Sequence, residues 1–223
     1  PGSIFVIPNG ANPEVAPEGM AERVSRFKEE YGLKEGQVVL LSVGHLSERK
    51  GQDIVLRALP SIIAAGIDAH YLMVGLPALK DKLSALAGQL GISDRVHFLG
   101  AVERDQLINA YAACDIFMMT SRMTSDGDFE GYGIAAIEAA LHAKPAVVTR
   151  CGGLPEAVVD HVTGRVVNEN DPLAAARAVV ELMEQPGQAR KLGLQARQRA
   201  ENESLWSQRV LEYRQLLHRM AKP

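Results

Sequence analysis

Glu130-Gly131-Tyr132-Gly133-Ile134-Ala135-Ala136-Ile137-Glu138 is the stretch on which the reading of this chain turns. From Ile134 to Ala140 the residues are small and apolar, with Glu138 as the one charge, so the run reads as a buried helix. Burying an unpaired carboxylate costs several kcal/mol, so a helix that keeps one must give it strong partners or a ligand. Glu130 precedes a Gly-x-Gly turn at the start of that helix, where free backbone N–H groups and the positive end of the dipole suit an anion. Two carboxylates around an anion-friendly helix start suit a ligand with hydroxyls at its ends and phosphate between them.

Working outward, the middle of the chain alternates short β-branched runs with longer amphipathic ones, the pattern of a parallel sheet wrapped by helices. Strands are expected at Val38–Val43, His70–Val74, Val96–Leu99, Ile116–Met119, Ala146–Val148 and Arg165–Val167. Helices are expected at Met20–Tyr31, Gln52–Ala65, Ala78–Leu90, Arg104–Ala113, Ile134–Leu141 and Leu154–Val159. The chain then turns helical throughout, at Pro172–Met183, Gln188–Asn202 and Leu205–Met220, with Asp171 as a cap before Pro172. Ahead of the sheet, Ile4-Phe5-Val6-Ile7 reads as a strand and the polar stretch with Pro13 and Pro17 as a linker, the tail of something upstream.

A length of 223 residues with 47% hydrophobic and 23% charged residues fits one large globular domain, or one and a half average ones, with a sizeable core. A net charge of -3 argues against a nucleic-acid partner, which would call for a basic face. No run approaches the length of a spanning helix and no signal peptide is visible. Two cysteines make no disulfide framework, which fits a reducing cytosol. Cys114 reads as core, whereas the loop position of Cys151 before Gly152-Gly153 allows exposure.

The first βα turn, Val43-Gly44-His45-Leu46-Ser47-Glu48-Arg49-Lys50-Gly51, leaves the carboxyl end of a strand, where open α/β sheets bind ligands. Gly44 lets backbone approach a ligand, and Arg49 and Lys50 set cationic donors for a diphosphate at the next helix start. Taken alone, the segment reads equally as a turn glycine with a surface Arg-Lys pair. Neither Gly-x-Gly-x-x-Gly nor Gly-x4-Gly-Lys-Ser/Thr follows a strand, which weighs against dinucleotide and nucleotide-hydrolase readings. Asp126-Gly127-Asp128-Phe129-Glu130-Gly131 invites a calcium loop, but the twelfth position, which needs a bidentate Glu, holds Ile137. A solvated acidic loop is the plainer reading. His70, His97 and His142 show no metal-ligand spacing and read as structural. Trp206 and the leucines of the last helix read as packing residues. Arg190, Lys191, Arg197 and Arg199, offset by Glu201 and Glu203, read as a solvated helix face.

Taken together, Ile7-Pro8-Asn9-Gly10, Val43-Gly44-His45-Leu46 through Lys50-Gly51, Val96-His97-Phe98-Leu99-Gly100, Glu130 to Gly133 with Glu138, and Gly152-Gly153-Leu154-Pro155-Glu156 occur in the order seen in family 4 retaining glycosyltransferases of the GT-B architecture. The chain resembles the C-terminal, donor-binding half of that family over nearly its whole length. The resemblance implies an α/β, Rossmann-like three-layer domain with a parallel sheet and a helical C-terminal extension, one half of a GT-B molecule. Residues 1–20 would be interdomain strand and linker, 21–185 the nucleotide-sugar-binding domain, and 186–223 helices packing toward an absent N-terminal, acceptor-binding domain. It further implies that Lys50 and Arg49 neutralise the diphosphate of a UDP- or GDP-sugar donor. Glu130 would bind hydroxyls of the transferred sugar, with the backbone of Gly131, Tyr132, Gly133 and Ile134 holding sugar and phosphate. Glu138 would hydrogen-bond the ribose, the backbone from Leu99 to Val102 would meet the base, and Gly44 and His45 would line the diphosphate. His45 departs from the family, which usually carries arginine there. No metal or cofactor is implied, and the expected setting is cytoplasmic, with any membrane contact made through the absent half. A nucleotide-sugar epimerase of related architecture, a non-catalytic nucleotide-sugar-binding module and a nicotinamide oxidoreductase are the competing readings.

Overall fold

The computed structural model describes residues 4–13 and 17–220. In chain order the elements are α1 (Met20–Glu30), β1 (Val38–Val43), α2 (Gln52–Ala64), β2 (Ala69–Val74), α3 (Lys80–Gln89), β3 (Val96–Gly100), α4 (Arg104–Ala113), β4 (Ile116–Met119), α5 (Ile134–Leu141), β5 (Ala146–Thr149), α6 (Leu154–Ala157), β6 (Gly164–Val167), α7 (Pro172–Glu184), α8 (Pro186–Glu203) and α9 (Trp206–Met220). The six strands are parallel and ordered β3-β2-β1-β4-β5-β6. This is a three-layer, Rossmann-like α/β domain, as the alternation of patterns predicts.

β1 shows why both faces are covered. Successive strand residues point to opposite sides, and every residue from Val38 to Leu41 is apolar and buried. Val39 and Leu41 join a core with Phe27 of α1, Ala110 of α4, Ile137 of α5 and Ala196 of α8. Val38 and Leu40 join the opposite core, with Ile54 of α2, Leu83 of α3 and Val179 of α7. The alanines of α5 keep that helix thin and α8 packs against it. A Cβ on Gly193 of α8 would lie 2.1 Å from the Ala143 carbonyl oxygen. Asp171 caps α7 as expected, accepting from the Ala174 N–H at 2.8 Å.

The order of the strands reverses between β1 and β4, so the loops leaving these two strands flank the crevice where such sheets take ligands. They are residues 44–51 and 120–133, the two segments that drew attention in the sequence.

Several expectations fail. Residues 4–7 form no strand, and Ile4 and Val6 are 91% and 81% exposed. A β-branched run favours extended backbone, but a strand also needs a neighbour to complete its ladder. Among the described residues the chain first pairs at Ala11, which bridges Leu205. The linker is described only in part, residues 14–16 lying outside the described residues. α6 stops at Ala157 because Val158 turns extended and the Val159 N–H bonds the Thr163 hydroxyl at 2.8 Å. Of the residues assigned to packing near the C-terminus, Leu205 lies against the core, but Trp206, Leu211 and Leu217 are 39%, 53% and 64% exposed. Arg197 and Arg199 pair with Glu201 and Glu203 on the α8 surface, yet Arg199 also donates to the Glu156 and Ala157 carbonyls and so ties α8 to α6.

Candidate functional site

The two crevice loops are joined by backbone. The Arg122 N–H donates to the Arg49 carbonyl at 2.8 Å, and the Thr120 hydroxyl donates to the Gly51 carbonyl at 2.7 Å. The approach depends on Gly51, which has φ +64° and whose Cβ would sit 2.0 Å from the Thr120 carbonyl oxygen. With the loops joined, Arg49, Lys50 and Glu130 converge. Arg49 Nη1 and Lys50 Nζ each lie 2.7 Å from Glu130 Oε2, and the Ser121 hydroxyl donates to the same oxygen at 3.4 Å. Arg49 Nε also pairs with Asp128 at 3.0 Å. The Glu130 side chain is 11% exposed and that of Lys50 15%. Arg49 and Lys50 are therefore not a free surface pair. The Lys50 side chain runs past Gly44, where a Cβ would lie 3.3 Å from Lys50 Cε.

The acidic loop is likewise more than solvated chain. The Thr124 carbonyl accepts from Gly127 N–H, the Asp128 carbonyl from Thr124 N–H, and Asp128 is delivered onto Arg49. No group of three or more His, Cys, Asp or Glu side chains suited to a metal occurs among the described residues.

Behind Glu130 stands Gly152-Gly153. A Cβ on Gly152 would lie 1.9 Å from the Glu130 carbonyl oxygen and one on Gly153 2.2 Å from that of Gly131. The Gly153 N–H donates to the Glu130 carbonyl at 3.1 Å. The glycine pair thus lets β5 support the start of α5 from behind. Gly133 is the N-cap of α5, in left-handed geometry, and no side chain caps the first N–H groups of that helix.

Glu138 lies one turn into α5 and is half-buried. Its Oε2 accepts from the Tyr111 hydroxyl of α4 at 2.7 Å, and the Tyr111 ring stacks on His142 at a centroid distance of 5.3 Å. Sequence reading missed Tyr111; its only signal was a phenol in an apolar helix face, which demands a partner once buried. His45 follows Gly44, is exposed, and its carbonyl accepts from Gln52 at 3.2 Å. Leu99 and Val102 flank the end of β3, two strands and so roughly 10 Å from β1, and both pack against the core. Tyr132 is half-buried, and its hydroxyl meets Arg209 Nη2 of α9 at 3.4 Å. Cys151, whose loop position allows exposure, is 1% exposed, and burial pushes its thiol pKa up. Cys114, fully buried, is pushed up to about 12 by burial. A groove of about 610 Å³ lined by Leu46, Asp53, Leu79, Leu83, Leu86 and Arg122, among others, contains none of the residues to which the resemblance gives a role.

The chain is similar to several known proteins. The chain is 34% identical over 194 residues to the GDP-mannose-dependent alpha-(1-6)-phosphatidylinositol monomannoside mannosyltransferase of Mycolicibacterium smegmatis, covering 86% of this chain and 50% of that protein. It is 30% identical over 208 residues to the D-inositol 3-phosphate glycosyltransferase of Corynebacterium diphtheriae, covering 91% and 47%. The chain therefore spans about half the length of the relatives it matches. Among solved structures, HepE of Anabaena in complex with UDP and glucose superposes with a TM-score of 0.81 at 24% identity, over 96% of this chain and 56% of that one. The C-terminal domain of the group 1 glycosyl transferase LpcC from Francisella tularensis superposes with a TM-score of 0.74 at 20% identity, over 88% of this chain and 100% of that one. These two likenesses carry the fold, the Rossmann-like domain of GT-B glycosyltransferases. The model of the glycosyl transferases group 1 family matches residues 24–199, and the chain belongs to that family.

Proposed function

We propose that this chain is the donor-binding half of a retaining glycosyltransferase and binds a nucleoside-diphosphate sugar across the crevice between β1 and β4. The observation that carries the reading is the convergence of Arg49, Lys50 and Glu130 at the switch point, beside the uncapped start of α5. In this reading the diphosphate lies against Lys50, Arg49, Gly44 and His45, and the sugar against Glu130 and the backbone of Gly131 to Ile134. The ribose reaches Glu138, held by Tyr111, and the base lies along Leu99 to Val102. That the Mycolicibacterium smegmatis relative is GDP-mannose-dependent and that HepE is complexed with UDP supports a GDP- or UDP-sugar donor.

Transfer breaks the bond between the anomeric carbon and the diphosphate oxygen and forms one to an acceptor hydroxyl, with retention; the acceptor proton leaves as the diphosphate departs with the bonding pair. Negative charge grows on the leaving diphosphate, and in this reading Lys50, Arg49 and the α5 N–H groups stabilise it. The acceptor site belongs to an N-terminal half outside this sequence. Residues 1–20 in this reading lead from that half, 21–185 bind the donor, and part of 186–223 packs back against it. The exposed apolar residues Ile4, Val6, Leu211 and Leu217 support such a neighbour. Among the described residues no helix is long and apolar enough to cross a membrane. The working setting is the cytoplasm, with any membrane contact made through the other half.

Binding of UDP, GDP and NAD followed in parallel by saturation-transfer NMR tests the donor reading. Either diphosphate is expected to bind and NAD not to; NAD binding alone refutes it. Positioning of the acceptor contributes about 7–11 kcal/mol to such barriers. The isolated chain is therefore expected to bind donor, hydrolyse it slowly at most, and transfer to no acceptor until the upstream half is supplied. Robust transfer by the 223 residues alone would overturn the half-enzyme reading.

A further inference from the structure

α9 is attached to the domain in an unusual way. Helices normally dock by an apolar stripe, yet Val210, Leu211, Tyr213 and Leu217 of α9 are 43% to 64% exposed. The buried residue of this helix is a charged one, Arg209, 8% exposed. Its Nη1 pairs with Glu212 at 2.8 Å, three residues further along α9. Its Nη2 crosses to the Tyr132 hydroxyl at 3.4 Å, and its Nε, also buried, has no hydrogen-bond partner. Burying a guanidinium with one N–H unsatisfied is unfavourable, so the contact is not explained by stability alone. Tyr132 stands between Gly131 and Gly133 and packs partly against the core, so its side chain is the one by which residues 131–133 can be held. Beside it opens a polar cavity of about 400 Å³, bounded by Pro8 of the linker, Glu156, Arg199 and Arg209 among others.

We propose that Arg209 is a positioning residue: it fixes Tyr132, and through Tyr132 the backbone of Gly131 to Ile134, so that the orientation of α9 is transmitted to the loop that holds the donor sugar. The proposal rests on the donor-binding reading for its consequence, but its structural part does not. A change in how the apolar face of α9 is covered moves Arg209, the Tyr132 contact tightens or breaks, and the sugar-facing backbone shifts, while Arg49 and Lys50, held by Glu130, stay in place.

Two measurements on the 223-residue chain test it. Amide hydrogen exchange is compared between the parent, Arg209→Ala, Arg209→Lys and Tyr132→Phe. Removing either partner should accelerate exchange about five- to tenfold at residues 131–135, leave β5 and the middle of α8 unchanged, and give no further acceleration in the Arg209→Ala/Tyr132→Phe double variant. Lysine, which keeps the charge but not the fork of donors, should restore protection only in part. Tyr132→Phe loses a single oxygen and guards against Arg209→Ala failing to fold. Unchanged exchange at 131–135, additive effects in the double variant, or acceleration spread across β5 and α8 overturns the proposal. Second, affinities for UDP and GDP are compared with those for UDP-glucose and GDP-mannose. Both single variants should weaken the nucleotide-sugars about five- to tenfold and the bare diphosphates less than twofold; equal weakening of both overturns it. If the parent binds no nucleotide at all, the donor-binding reading fails, and the exchange experiment still decides whether Arg209 positions the loop.

Discussion

Replacing Glu130 by Gln removes the charge on which Arg49 and Lys50 converge while keeping the side chain's shape. Glu130 Oε2 accepts two charge-assisted hydrogen bonds at 2.7 Å, each worth about 1.5–3 kcal/mol when desolvated, an upper bound of about 3–6 kcal/mol. The bound is not reached. Arg49 keeps Asp128, and the Arg49 and Lys50 side chains are 25% and 15% exposed, so solvent screens part of the loss. A net destabilisation of about 2 kcal/mol is expected after that discount. For a domain of this size each kcal/mol moves Tm by about 2–4 °C, so the midpoint should fall by roughly 4–8 °C in a thermal scan. Ligand provides the second readout. In the parent chain a diphosphate must share or displace a carboxylate already on both cations; in the variant it need not. Saturating UDP or GDP should therefore raise Tm more in the variant than in the parent, where about 2.7 kcal/mol is the ceiling at a hundredfold excess over Kd. An unshifted midpoint would refute the stabilising network. A smaller ligand-induced shift in the variant would refute the idea that Glu130 competes with the diphosphate for Arg49 and Lys50.

Glu138→Gln should weaken nucleotide binding roughly tenfold or more, since a hydrogen bond to a charged acceptor contributes about 1.5–3 kcal/mol; titration calorimetry with UDP and GDP checks it, and unchanged affinity would remove Glu138 from the site. His70 and His97, in contact at 3.1 Å between ring nitrogens, both have pKa values lowered by burial. In the unfolded chain they take up protons near pH 6.5 that the folded state refuses, so their contribution is intact above about pH 6.5 and is lost as pH falls toward the folded values. Urea midpoints between pH 7.5 and 5 should show this loss, and a His70→Gln/His97→Gln variant should show less of it. Gly51→Ala forces a left-handed alanine whose Cβ lies 2.0 Å from the Thr120 carbonyl oxygen; a loss of about 2–4 kcal/mol in urea unfolding is expected from backbone strain and overpacking together.

The sheet was legible because its central strands are buried on both sides. A run such as Val38 to Leu41 has no polar face to confuse it with a surface helix. The β1 and β4 loops were legible for a related reason: glycine, Arg-Lys and an isolated carboxylate are costly inside a core and therefore stand out. Contacts between helices distant in sequence were not. Tyr111 meets Glu138 across 27 residues, and nothing in either local pattern names the other. Arg209 was missed because helical periodicity assigns the apolar residues inward, and in α9 they face outward. Ile4 to Ile7 misled because β-propensity describes a residue's fit to a sheet, not the presence of a neighbouring strand.

The meeting of the first and last parts of the chain has a spectroscopic consequence. The Ala11 N–H donates to the Ser204 carbonyl at 2.8 Å, the Trp206 N–H returns to the Ala11 carbonyl at 3.0 Å, and a Cβ on Gly10 would lie 2.7 Å from Trp206 backbone. Trp206 is the only tryptophan among the 223 residues. Tryptophan emission from this protein thus comes from a single indole at the joint where linker and last helix meet. A shift of that joint changes the polarity around one ring, with no other indole to mask the signal. The domain therefore carries an intrinsic, label-free fluorophore at that crossing.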